Sequence, residues 1–104
     1  MMTKTEAQVQ KEIVHYCKGQ GWWVSKIMRA SELGVPDLIV CADGVFIGCE
    51  VKAEKFLKKP DRQMSEWQVK QASRIEDSDG IAICVASLEQ FISELEDVQI
   101  YWAT

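Results

Sequence analysis

The chain has 104 residues, of which 47% are hydrophobic and 27% charged, with two prolines and six glycines; this excludes disordered and fibrous classes and predicts one compact domain over residues 1–104. No apolar run reaches the eighteen or more residues of a membrane span and the opening residues lack an apolar signal core, so a soluble cytoplasmic protein with no membrane partner is expected. The net charge of −4 argues against an all-over nucleic-acid-binding surface, but residues 1–29 sum to +3 and residues 52–74 to +4, leaving two segments suited to phosphate.

In chain order, Val9, Ile13, Tyr16 and Cys17 recur at helical spacing and predict a helix from about Lys4 to Gly19. Trp22 to Ile27 is rich in β-favouring residues and reads as a strand, followed by a polar connection through Arg29, Ser31 and Gly34. Asp37 to Cys41 and Val45 to Lys52 flank Asp43-Gly44, a strong two-residue hairpin signal, and so predict an antiparallel pair. Ala53 to Met64 reads as a loop. A helix from about Ser65 to Asp77, a strand over Ile81 to Val85, and a helix capped by Ser87 and running to about Glu96 follow, with Gln99 to Trp102 as a terminal edge strand. The order is helix, three strands, helix, strand, helix, an α/β arrangement of two or three layers around a mixed sheet. Cys17, Cys41, Cys49 and Cys84 form no CxxC pair and His15 has no metal-ligand partner at the usual spacing, so buried free thiols are expected and not a zinc site.

The chemistry-bearing residues converge on the hairpin. Strand alternation puts Glu50 and Lys52 on one face. Folding back at Asp43-Gly44 brings Asp37 near Val51, one residue from both Glu50 and Lys52. Two converging acids repel unless a cation lies between them, and an oxygen-rich corner suits a hard cation such as Mg²⁺. Glu6 lies about 20° from Ile13 and Cys17 on the helical wheel, whereas Glu12 is rotated about 120° from Glu6 towards solvent. Two uses of Glu6 stay open: facing a cation, or closing a capping box with Thr3. Alone, Glu-x-Lys is also compatible with a surface ion pair, and Ser65-x-x-Gln68 with a helix cap.

Five pieces taken in order resemble the VRR-NUC domain of the PD-(D/E)XK, restriction-endonuclease-like nucleases. They are Glu6-Ala-Gln-Val-Gln10, Gly21-Trp-Trp-Val, Gly34-Val-Pro-Asp37-Leu-Ile, Glu50-Val-Lys52 and Ser65-Glu-Trp-Gln68. The resemblance implies a restriction-endonuclease-like core and divalent-metal-dependent endonuclease hydrolysis of DNA, with Mg²⁺ or Mn²⁺ held by Asp37, Glu50 and the Val51 carbonyl. Glu6 supports that site directly or through water, Lys52 contacts or activates the attacking water, and Gln68 holds Lys52 or the scissile phosphate. It also implies 5′-phosphate products, a homodimer, replication or repair proteins as partners, and a bacterial or phage-infected cytoplasm. The absence of familiar DNA-reading modules favours recognition of a junction, flap or nick over a base sequence. Lys26, Arg29, Lys55, Lys58, Lys59 and Arg62 are the expected DNA-binding cations, although Lys55, Lys58, Lys59 and Arg62 taken alone are equally compatible with solubilising a loop. The competing functions are a non-catalytic DNA-binding module of the same fold and an assembly protein; the intact acidic pair disfavours the first, because carboxylates near phosphate weaken binding unless a cation bridges them.

Overall fold

A computed structural model describes residues 3–102, with side chains described through residue 97. The first helix, α1, spans Glu6–Gly19 and buries Val9, Ile13 and Cys17, as their spacing predicts. Its cap differs from the expectation. Thr5 is the N-cap, its hydroxyl accepting from the Gln8 amide while the Gln8 side chain accepts from the Thr5 amide, so Thr5 and Gln8, and not Thr3 and Glu6, form the box. Glu6 is thereby released from capping.

Four strands follow in the spatial order of the chain: β1 (Trp23–Lys26), β2 (Leu38–Ala42), β3 (Val45–Val51) and β4 (Ile81–Val85). The first two pairings are antiparallel and the third is parallel. Asp43 and Gly44 both take positive φ, 52° and 87°, which matches the right-handed twist of the β2–β3 hairpin and explains why this dipeptide marks it. The connection expected to be a plain loop contains two short 3-10 helices, Glu54–Phe56 and Pro60–Gln63. The next helix, α2 (Glu66–Asp77), starts at an N-cap on Ser65 and provides the crossover from β3 to β4.

The last helix, α3, spans Leu88–Trp102 and replaces the terminal strand expected at Gln99 to Trp102. Neither glycine nor proline occurs after Ser87, so nothing in the sequence stops the helix at Glu96. The apolar edge expected from Ile100-Tyr101-Trp102 concerns side chains that lie outside the described residues.

Alternation divides the sheet into two faces. Leu38, Val40, Ile47, Cys49 and Val51 meet Val9, Ile13 and Cys17 of α1 and Phe91 and Leu95 of α3 in the main core. On the other face α2 lies over β3 and β4, with Ile75 packed close to Gly48 and Gly80. The result is a three-layer α/β/α frame. That second face is incompletely covered: Trp23, Cys41 and Phe46 occupy successive register positions across β1, β2 and β3, and all three are exposed. Cys41 therefore departs from the expectation of a buried thiol, because its strand is apolar on both faces while only one is sealed.

Candidate active site

The carboxyl ends of the parallel strands β3 and β4 lie at one end of the sheet, together with the start of β2 and the first turns of α2 and α3. This is where open α/β sheets place ligands, since several elements end there and helix N-termini favour anions. Leu38 pairs with Cys49, so extending the ladder sets Asp37 opposite Glu50, one residue from the expected alignment with Val51. Asp37 is pinned there: its Oδ2 accepts from the Val51 amide at 2.9 Å, and its carbonyl accepts from the Ile27 amide at 2.8 Å.

Glu50 is the unusual group. It is the penultimate residue of β3, in the half of that strand buried on both faces, and is only 4% exposed, with its carboxyl within hydrogen-bonding reach of Asp37. Burial, followed by the hydrogen bond with Asp37 and repulsion from it, pushes the Glu50 carboxyl up to about 9, against a smaller opposing pull from Lys52. Two acids held together, one of them buried, keep a proton at neutral pH unless another cation replaces it. Glu6 remains exposed at the mouth, yet local desolvation and then repulsion from Asp37 raise its pKa, with Lys52 and Lys26 acting the other way. Glu12 lies apart and pairs with Lys4 at 2.9 Å. The approach of α1 to this end is fixed by the Glu54 amide donating to the Lys4 carbonyl at 3.0 Å and the Lys4 amide donating to Glu54 Oε1 at 3.2 Å.

Lys52 Nζ donates to Gln68 Oε1 at 3.1 Å. The same oxygen accepts from the Ser65 amide at 2.8 Å, while the Gln68 amide donates to Ser65 Oγ at 3.1 Å. Gln68 is thus both helix cap and lysine partner, and the two uses left open by the sequence are simultaneous. Gly34 explains how α2 comes so near: at φ 80° its backbone lies against that of Trp67 and Gln68, and a Cβ there would come within 2.7 Å of the Gln68 nitrogen. The sequence signal for this contact, a lone glycine before Val35-Pro36-Asp37, shows a turn but not what the turn touches.

Asp37, Glu50, Lys52 and Gln68 are therefore gathered at one corner, with Glu6 beside them. Among the described residues no three of His, Cys, Asp and Glu form a group that could hold a metal ion. What the corner offers is the Asp37 and Glu50 carboxyls with Glu6 at its mouth, oxygen donors of the kind that suit a hard, partly hydrated cation. Cys84 stands opposite Glu50, but burial raises its thiol to about 12, so it is a neutral wall and not a thiolate ligand. The expected DNA-contacting residues Lys26, Arg29, Lys55, Lys58, Lys59 and Arg62 are all exposed, Lys26 and Arg29 on the β1–β2 side and the others on the β3–α2 connection.

No family model and no curated protein matches the chain. Among solved structures, a chain described as a VRR_NUC domain is similar, at 26% sequence identity and a TM-score of 0.72 over 89% of this chain and 96% of that one. The similarity spans most of both chains, so it concerns the overall sheet-and-helix frame and not a local fragment. The chain is a structural homologue of the VRR_NUC domain, a nuclease fold of the PD-(D/E)XK type.

Proposed function

We propose that the chain is a divalent-metal-dependent endonuclease that hydrolyses DNA phosphodiester bonds, leaving 5′-phosphates and selecting substrates by shape, such as a junction, flap or nick. The observation that carries this reading is the buried Glu50 carboxyl held against the half-buried Asp37 beside Lys52: an arrangement that costs stability without a cation is more readily explained by chemistry than by folding. Asp37, Glu50 and the Val51 carbonyl would hold Mg²⁺ or Mn²⁺. When bound, such an ion supplies charge stabilisation at phosphorus and acidifies a bound water. Lys52 positions the attacking water and balances developing charge, with Gln68 fixing its ammonium and Glu6 supporting the corner through water. The exposed cations on the two flanking connections would carry the DNA backbone, positioning it without reading bases.

The homodimer is part of the same proposal, in the cytoplasm of a bacterial cell or phage-infected host and alongside replication or repair proteins. Its physical support is the uncovered row of Trp23, Cys41 and Phe46, since exposed apolar sheet surface of this kind is ordinarily sheltered. The central test is cleavage of a panel of nicked, flapped and four-way DNA with Mg²⁺, with Mn²⁺ and with chelator. Wild-type protein should cut only with metal, and Asp37→Ala should lose activity while keeping its circular dichroism. Equal cutting by wild type and Asp37→Ala would remove the assignment.

A further inference from the structure

Trp67 is 52% exposed and Leu33 is 65% exposed, and both line a groove of about 250 Å³ with Glu32, Lys70, Gln71 and Arg74. The fold uses the backbone of Trp67, not its ring: carbonyl and main-chain atoms pack on Gly34, while the indole is absent from the hydrophobic core. Among the described residues the indole therefore takes no part in the buried core, and about half of it faces solvent. The ring stands one residue from Gln68, which holds Lys52, and Leu33 stands one residue from Gly34 on the loop that leads to Asp37. Lys70 Nζ lies over one face of the indole, 5.7 Å from its centroid, so a flexible cation shares the aromatic surface. Arg74 is tied to Glu32 at 3.2 Å, and Gln71 donates to both Glu32 and the Leu33 carbonyl, so the groove is braced from α2 to the β1–β2 connection.

The geometry points to a base-stacking subsite: Trp67, in a groove it shares with Leu33 and Lys70, receives one unpaired nucleobase of DNA next to the scissile phosphate. The inference rests on the nuclease reading and supplies the physical source of its shape selectivity. A base inside a duplex has both faces covered by its neighbours, whereas a base at a flap, junction or frayed end has a free face to stack on an indole. Lys70 complements the phosphate that accompanies such a base, which argues for a nucleotide over an uncharged apolar partner.

The test compares wild type, Trp67→Ala and Trp67→Tyr by fluorescence anisotropy on a labelled flap and on a continuous duplex of the same length, with Ca²⁺ replacing Mg²⁺, after circular dichroism shows equal folding. Trp67→Ala should weaken flap binding roughly 5- to 100-fold. Duplex binding should stay within about twofold, and Trp67→Tyr should recover most of the flap affinity because stacking needs an aromatic face. A 5-bromouracil placed as the first unpaired base should photocrosslink to Trp67. Equal loss on flap and duplex, no loss on either, or a crosslink elsewhere would overturn the subsite. Loss accompanied by a change from dimer to monomer in sedimentation would assign the groove to a second copy of the chain and overturn it as well. Parallel cleavage in Mg²⁺ separates the two levels: a wild type that discriminates flap through Trp67 but cuts nothing removes the nuclease reading alone, whereas a wild type that cuts while Trp67→Ala keeps the same flap preference removes the stacking subsite alone.

Discussion

Replacing Glu50 by glutamine should make the metal-free protein more stable while abolishing its response to metal. The Glu50 carboxyl has a reference value of 4.5 and is pushed up to about 9 in the fold, mainly by burial and then by Asp37. Below about pH 4.5 both folded and unfolded chains hold the proton, and the contribution of Glu50 to stability is fully present. Between that value and about 9 the unfolded chain releases the proton and the folded one retains it, so stability falls by about 1.4 kcal/mol per pH unit. At pH 7.5 the cumulative loss is about 4 kcal/mol, a large share of the stability of a domain this size. Glutamine has no proton to lose, and its amide can donate to Asp37 as the protonated carboxyl does. Urea unfolding followed by tryptophan fluorescence in chelator should show the two proteins nearly matched at pH 5 and diverging towards pH 8, with Glu50→Gln the more stable. Adding Mg²⁺ should then raise the midpoint of wild type and leave the variant unmoved, because only a ligand that binds the folded state shifts it. A stability difference that stays constant across this pH range would refute the reasoning, since the gain would then owe nothing to the Glu50 proton.

Gly34→Ala should cost about 1–2 kcal/mol from its left-handed backbone alone and more from collision with the first turn of α2, and should lower cleavage by shifting Gln68 off Lys52; combined urea titration and single-turnover rates read both effects. Glu6→Gln should slow single-turnover cleavage roughly 10-fold or more, as loss of a residue supporting a metal site does. Glu12→Gln, which removes only the surface pair with Lys4, should leave the rate unchanged, and a reversed outcome would show that the wrong face of α1 supports the site. Sedimentation equilibrium should give twice the monomer mass of 11.8 kDa, and Trp23→Glu should shift the protein to monomer by placing a charge on the uncovered sheet face.

The α/β class, the hairpin and both sides of the Asp37–Glu50 corner were legible in the sequence, because each rests on local physics. Asp43-Gly44 can adopt the positive φ values that a tight hairpin needs, and alternation along Val45–Val51 sorts Glu50 from Cys49 without reference to any other element. Ser65-x-x-Gln68 is likewise a local box. The exact opposition of Asp37 and Glu50 needed the observed ladder, since a shift of one residue lies within what turn chemistry can specify. Two Thr-x-x-acceptor patterns overlap at the start of α1, and the fold uses Thr5–Gln8, with the preceding Lys4 backbone held by Glu54. At the end of α3 the strand-like composition of Ile100-Tyr101-Trp102 predicts a strand, whereas the helix running unbroken through it and the sheet ordered through β4 decide otherwise. Only the tertiary structure set the Glu50 proton and the pairing of Lys52 with Gln68, for a shared reason: burial and approach between segments distant in the chain depend on how three layers close, and no local pattern encodes that distance.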